Sequence, residues 1–128
     1  MALLAVFAVK VEAQKAKEPS FDGRSLTSWI TDLNAAAPAT RNAAAYAISG
    51  MGPAGKPAVP ALVKVLEDSD APPTVRFPVC VALREIGPEA RDAIPALTKA
   101  MDDRNDEIAA MARKALKAIT GQDPRPPE

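Results

Sequence analysis

The chain has 128 residues, and its 16 lysines and arginines balance 16 aspartates and glutamates, so the formal net charge is zero. This length fits one domain with a small core, and the lack of a basic excess argues against a nucleic-acid binder. Histidine is absent and cysteine occurs once, which removes the commonest general base, an intrachain disulfide and a thiolate metal cluster. Aromatic residues are only 4% of the chain, so small aliphatic side chains must fill the core, which favours closely packed helices.

The chain opens with an apolar run, residues 1–9, that is too short to span a membrane as a helix. A polar stretch with lysines follows, and Val11-Glu12-Ala13 resembles the small-x-small cleavage site of a signal peptide. We therefore predict an exported or periplasmic protein in which residues 1–20 are a signal-peptide remnant and a linker. The alternative is a cytoplasmic protein with a frayed N-terminal helix, because no positive charge precedes the run.

The first predicted helix covers residues 25–34 and forms a half repeat. Its Leu26, Trp29 and Leu33 have the apolar spacing of residues 59–66, at a shift of 33. Because Trp29 takes the position of a core leucine in that alignment, we predict that it is buried. The alternative is an exposed aromatic anchor for a partner.

Two full repeats follow, residues 41–68 and residues 76–103, related by a shift of 35 without a gap. Ten of the 28 aligned pairs are identical, where chance would give about two or three. The identities include an arginine, a Gly-Pro turn and a Pro-Ala-Leu segment. This is a strong signal for two copies of one structural unit.

Each repeat contains two amphipathic helices, because its apolar residues recur at helical spacing. We predict first helices at 38–51 and 73–86, which end at Gly-Pro turns, and second helices at 56–67 and 91–102. Pro78 lies several residues into a first helix, so we expect a bend there.

A last half repeat gives a helix at 106–119, capped by Asn105 or Asp106, and a Pro-rich tail at 122–128 follows. This helix is apolar around more than one face, so Met111 and Ala118 should stay partly exposed. We predict that it contacts a partner or a second copy of the chain, which would make a homo-oligomer, through Met111. The alternative is that the small alanines expose too little apolar area to matter.

Two-helix units of this length cannot bury their apolar stripes alone, but stacked units share one core. We therefore predict an all-α fold without a β-sheet: a right-handed α-α superhelix, or armadillo-like solenoid, of about two full repeats plus a half repeat at each end. The predicted core is Leu62, Leu66, Leu83, Ile86, Leu97, Met101 and Leu116.

Several motifs resemble the bacterial HEAT repeats, including the group named after phycobilisome lyases: Val75-Arg76, Ala82-Leu83, Ile86-Gly87-Pro88 and Ala93-Ile94-Pro95-Ala96-Leu97. Residues 21–30 also resemble the lead-in of exported bacterial HEAT-repeat proteins. This resemblance implies a HEAT-repeat domain at residues 21–121.

In such families an aspartate at the turn between repeats pairs with the arginine of the next helix. The resemblance therefore implies an ion pair of Asp68 or Asp70 with Arg76. The resemblance predicts the fold better than the function, because proteins with one fold can have many functions.

The predicted function is a non-catalytic scaffold that binds a protein or peptide partner, without cofactor or metal. No paired carboxylates, nucleophile–base set or phosphate loop can be assembled from the sequence. Lys64 and Lys99 recur on the second helices, which line the concave side of HEAT arrays, so they are candidate contacts for an acidic partner. The alternative is that both lysines are simply solvated.

A second function, implied by the family group alone, is a bilin lyase or lyase-like chaperone. Cys80 would then be a reactive thiol or a bilin attachment point, but a lone cysteine beside an apolar stripe is usually a small buried hydrophobe. A DNA-lesion enzyme would need a basic groove with aromatic residues, which the composition does not offer.

Overall fold

The computed structural model describes residues 18–124. The predictions for a signal peptide in residues 1–17 and for the end of the tail, residues 125–128, lie outside this range. The described part of the chain forms six α-helices: α1 (Leu26–Asp32), α2 (Pro38–Gly50), α3 (Val59–Glu67), α4 (Pro73–Ile86), α5 (Ile94–Ala100) and α6 (Asp106–Thr120). Two 3₁₀ helices, η1 (Gly52–Ala58) and η2 (Gly87–Ala93), join the first helix of each full repeat to the second.

The first helices form one layer and the second helices form the other. In the first layer α2 packs on α4, and α4 packs on α6. The second helices complete the stack, because α3 packs against α4 and α5 packs against α6. The predicted all-α stack of helix pairs is confirmed, and the right-handed superhelical path stays a prediction.

The core lies between the two layers and consists of aliphatic side chains, as the composition predicts. All predicted core residues are buried, the most exposed being Met101 at 7%. Trp29 is 8% exposed, so the prediction that it packs in the core is confirmed. Every helix in residues 18–124 is too short or too polar to span a membrane.

The second helices begin later than predicted, because each is preceded by a 3₁₀ helix. Gly52 and Gly87 have φ angles of +58° and +75°, which only glycine adopts without strain and which end the first helices as predicted. Prolines in the following segments cannot donate to a continuous α-helical ladder. Pro60 and Pro95 lie in the first turns of α3 and α5, where a missing N–H costs little.

A short β-hairpin precedes α1, so the prediction of no β-sheet is wrong here, and Ser20, at the end of the predicted linker, lies in a strand. Strands β1 (Ser20–Phe21) and β2 (Arg24–Ser25) pair antiparallel. The residues between them, Asp22 and Gly23, have φ angles of +52° and +76°. Positive φ at both positions is the geometry of a two-residue hairpin turn, for which Asp-Gly is a favoured sequence.

The hairpin covers the N-terminal end of the stack. The indole Nε1 of Trp29 donates to the Phe21 carbonyl at 3.1 Å, and the Phe21 ring lies so close to Gly50 that a Cβ there would be 2.4 Å from it. The Arg24 guanidinium stacks on the Trp29 ring at 3.8 Å and forms an ion pair with Asp32 at 2.9 Å. The hairpin therefore packs on both α1 and α2.

Candidate functional site

Two clefts open on the face formed by the second helices, which we call the second-helix face. The first cleft has a volume of about 300 Å³ and the second about 170 Å³. Each is lined by one arginine, one lysine and one aspartate at equivalent repeat positions: Arg41, Lys64 and Asp68 in the first cleft, and Arg76, Lys99 and Asp103 in the second. The internal repeat thus places the same charged trio twice on one face.

In the second cleft the arginine and the aspartate are paired with each other. Arg76 forms an ion pair with Asp103, and the two side chains are only 16% and 14% exposed. The Arg76 Nε donates to the Ala71 carbonyl at 3.2 Å, which helps to orient the guanidinium. Asp103 also accepts a hydrogen bond from the Asn105 backbone N–H at 2.8 Å. The charges of this pair are therefore satisfied within the protein.

The predicted pairing of Arg76 with Asp68 or Asp70 is wrong. Asp68 instead accepts a hydrogen bond from the Asp70 N–H at 2.9 Å, within the turn before α4. Because Arg76 is anchored through its Nε, its terminal nitrogen meets Asp103, which follows α5 in the same repeat. The arginine therefore links the two ends of one repeat.

In the first cleft the equivalent pair is not formed. The Nε of Arg41 is buried and has no hydrogen-bond partner among residues 18–124. Asp68 closes its turn onto Asp70, as Asp103 does onto Asn105. Buried polar groups in proteins are normally hydrogen-bonded. The Nε of Arg41 is therefore an exception, whereas the Nε of the equivalent Arg76 is hydrogen-bonded.

The candidate contacts Lys64 and Lys99 are both exposed and lie in the last turns of α3 and α5. They share the second-helix face but line different clefts. Arg41 was missed as a site residue, although its identity with Arg76 in the repeat alignment marks the position. The repeated lysines predicted which face carries the charged residues, but the sequence did not predict that only one of the two arginines is paired with an aspartate.

The candidate contact Met111 lies on α6, away from both clefts, and is partly buried against the core. Ala118 is exposed, as predicted. The outer side of α6 also carries exposed basic residues, namely Arg113, Lys114 and Lys117. Within the described range, the exposed large hydrophobic residues are Phe21 and Tyr46, so the apolar area at this end is small.

Cys80 is fully buried in α4. Desolvation by burial raises the pKa of its thiol to about 12, against a smaller opposing effect of nearby Arg76. A thiol that stays protonated is a poor nucleophile. The prediction of a small buried hydrophobe is confirmed.

The acidic residues after α5 belong to a loop that starts the last helix. The Asn105 side chain accepts hydrogen bonds from the N–H groups of Glu107 and Ile108 at 3.0 and 3.1 Å, so it is the predicted N-cap of α6. In residues 18–124, no three or more acidic or cysteine side chains come together as metal ligands would.

A stack of helix pairs with repeat-related clefts on one face defines the class of α-α repeat proteins. A family model for HEAT repeats matches residues 26–117. The chain therefore belongs to the HEAT-repeat family. No curated protein matches the chain. HEAT repeats commonly serve as scaffolds for protein interactions and are generally non-catalytic.

Proposed function

We propose that the protein is a non-catalytic scaffold whose second-helix face binds a protein or peptide partner. The observation that carries this proposal is the duplication of one charged cleft along a single face, with Lys64 and Lys99 at its exposed border. A surface that repeats along a stack suits an extended ligand, which contacts successive units in turn.

The charges on this face favour an acidic partner. In the second cleft Arg76 pairs with Asp103, and Glu67 in the cleft wall offsets the charge of Lys99. The first cleft contains two cationic side chains and one aspartate. The first cleft is therefore locally positive although the whole chain is neutral. Complementary charge of this kind guides association and selects partners.

Site-specific photo-crosslinking in the native cell tests the proposal. A photo-crosslinking amino acid is placed at Lys64 or at Lys99, and a matched control is placed at Tyr46, which is 44% exposed on the first-helix layer. We expect both cleft positions to capture the same protein and the control position not to capture it. Equal capture at all three positions, or none at the clefts, would contradict the proposal.

Membership of the lyase-like group and export are finer parts of the same proposal. Export is supported by the apolar run and the cleavage-site pattern near residues 11–13, and Edman sequencing of the mature protein tests it. An intact residue 1 on all molecules would contradict export. A shift in the absorbance spectrum of a linear tetrapyrrole mixed with the protein would favour the lyase-like function over the pure scaffold.

Self-association through α6 is supported by the partly buried Met111 beside exposed alanines. The basic residues on the same helix limit the apolar area, so the contact would be weak. Sedimentation equilibrium of the full chain and of the Met111→Lys variant tests it. A monomer at all concentrations for the unsubstituted chain would rule this contact out.

A further inference from the structure

We infer that the first cleft is a carboxylate-binding site in which Arg41 and Lys64 hold the acidic side chain of a partner peptide. This inference deepens the proposed scaffold function and rests on it. It assigns partner recognition to the first cleft and not to its repeat equivalent. The two clefts share the charged trio, but Glu67 lines only the second cleft, and only there is the arginine paired with its aspartate. That difference carries the argument.

In the second cleft, a carboxylate of the protein itself occupies the position beside the arginine. There the carboxylate of Asp103 lies against the guanidinium of Arg76. Arginine and carboxylate form charge-assisted hydrogen bonds of well-matched geometry, which are stronger than bonds between neutral groups. The second cleft thus contains its own carboxylate ligand.

The first cleft has the same arginine position without that ligand. The buried Nε of Arg41 has no acceptor in residues 18–124. Asp68 makes the same turn hydrogen bond as Asp103, but within this range it forms no ion pair with Arg41. Lys64 lines the same cleft and adds a second positive charge. An incoming carboxylate would meet the terminal nitrogens of Arg41 as the Asp103 carboxylate meets the Nη1 of Arg76.

The shape and lining of the first cleft suit an acidic side chain. Its volume of about 300 Å³ exceeds the 170 Å³ of the second cleft. Its wall includes the apolar Leu33 and Val65 beside the two cationic residues. The methylene groups of a glutamate can pack on the apolar wall while its carboxylate meets the cations. Arginine is well suited here because its planar fork binds carboxylates in two parallel hydrogen bonds.

An NMR titration of the isotope-labelled full chain tests the inference, because arginine Nε–H groups give their own signals. The probe is a hexaglutamate peptide with an amidated C-terminus. We expect the Arg41 Nε–H signal to shift to saturation, while the Arg76 signal changes little. A hexaglutamine peptide with a free C-terminal carboxylate is the second probe. Preferential binding of that peptide would reassign the cleft to a chain terminus and overturn the side-chain inference.

Matched variants of the two clefts separate a site from general charge attraction. Arg41→Gln should weaken hexaglutamate binding about tenfold or more, and Lys64→Gln should weaken it several-fold. Lys99→Gln should weaken it less than Lys64→Gln does, and Lys114→Gln, an exposed position on α6 that lines neither cleft, should change it less than about twofold. If Arg41→Gln does not fold, Arg41→Lys retains the charge but loses the planar fork, and it should also weaken binding.

Two results would overturn the inference. One is saturable binding that leaves the Arg41 signal in place. The other is an equal loss of binding in the variants of both clefts, which would indicate general attraction to a positive surface. Neither result changes the crosslinking expected at Lys64 and Lys99, so the carboxylate site and the scaffold function fail separately.

Discussion

The side-chain amide of Asn42 donates a hydrogen bond to the backbone carbonyl of Thr74 at 2.6 Å. This carbonyl would normally accept from the N–H four residues later, but that residue is Pro78, which has no N–H. A polar group from α2 therefore satisfies the acceptor that the proline leaves unpaired in α4. The contact explains how α4 accommodates an internal proline, while the bend expected there stays a prediction.

Asn42→Ala should destabilise the protein by about 1–2 kcal/mol, because it removes the donor to a carbonyl whose i+4 residue, Pro78, has no N–H. In a Pro78→Ala background an N–H is restored at position 78, so the same change should cost clearly less. Urea unfolding of the four proteins of this double-mutant cycle measures both costs. An equal loss in both backgrounds would show that the amide and the proline act independently.

Asp103→Asn tests the ion pair of the second cleft. Asparagine retains the side-chain oxygen that accepts from the Asn105 N–H but removes the negative charge opposite Arg76. Because the pair is largely shielded from water, we expect a loss of about 1–3 kcal/mol, with a weak dependence on salt.

Asp68→Asn is the matched control for this charge removal. Asp68 makes the equivalent turn hydrogen bond, to the Asp70 N–H, and is exposed. Its replacement should change the free energy of unfolding by no more than about 0.5 kcal/mol. A loss as large as that of the Asp103 variant would show that the turn, and not the ion pair, supplies the stability.

Leu83→Ala should reduce the free energy of unfolding by about 2–5 kcal/mol, as large-to-small changes in packed cores do. Leu83 is fully buried in α4, which packs against first helices on both sides. The neighbouring Arg84→Ala, on the exposed side, should have an effect within about 0.5 kcal/mol. Chemical denaturation measures both, and a Leu83 loss below half a kcal/mol would contradict the helix register.

Gly23→Ala tests the hairpin that precedes α1. A Cβ at Gly23 would meet no atom within 4 Å, but the φ of +76° disfavours any side chain. The cost should therefore be backbone strain alone, about 1–2 kcal/mol. Trp29, the single tryptophan, contacts the hairpin, so its fluorescence reports loosening of this end before global unfolding. An unchanged emission profile through denaturation would show that the turn conformation adds nothing.

Helical periodicity was sufficient to predict most of the fold. The bounds of α4 were correct and those of α6 were within one residue, because each helix has a continuous apolar stripe and clear end signals. The hairpin was missed because its strands are two residues long and lie in a polar stretch. The Asp22-Gly23 dipeptide was its one sequence signal.

The candidate site was only partly predictable, for a physical reason. A repeated sequence shows that Arg41 and Arg76 take equivalent positions, but not whether each guanidinium reaches a carboxylate. That depends on side-chain geometry between positions far apart in the sequence, such as Arg76 and Asp103, which are 27 positions apart. The pattern locates a charged face, and tertiary structure decides which of its charges are already paired.

The last prediction concerns Cys80 and the dependence of stability on pH. Burial raises the pKa of its thiol from an ordinary value of 9.0 to about 12, so the folded protein retains a proton that the unfolded chain releases near pH 9. The stability associated with the neutral thiol is therefore fully present below pH 9 and decreases between pH 9 and pH 12. The decrease approaches about 1.4 kcal/mol per pH unit for one proton. Every other titratable group is the same in a Cys80→Ala variant, so the contributions of these groups to the pH dependence largely cancel in the comparison. The stability advantage of the unsubstituted protein over this variant, measured by urea unfolding from pH 8 to pH 11, should shrink steadily above pH 9. Parallel stability curves for the two proteins would show that the thiol ionises as easily in the folded state as in the unfolded chain.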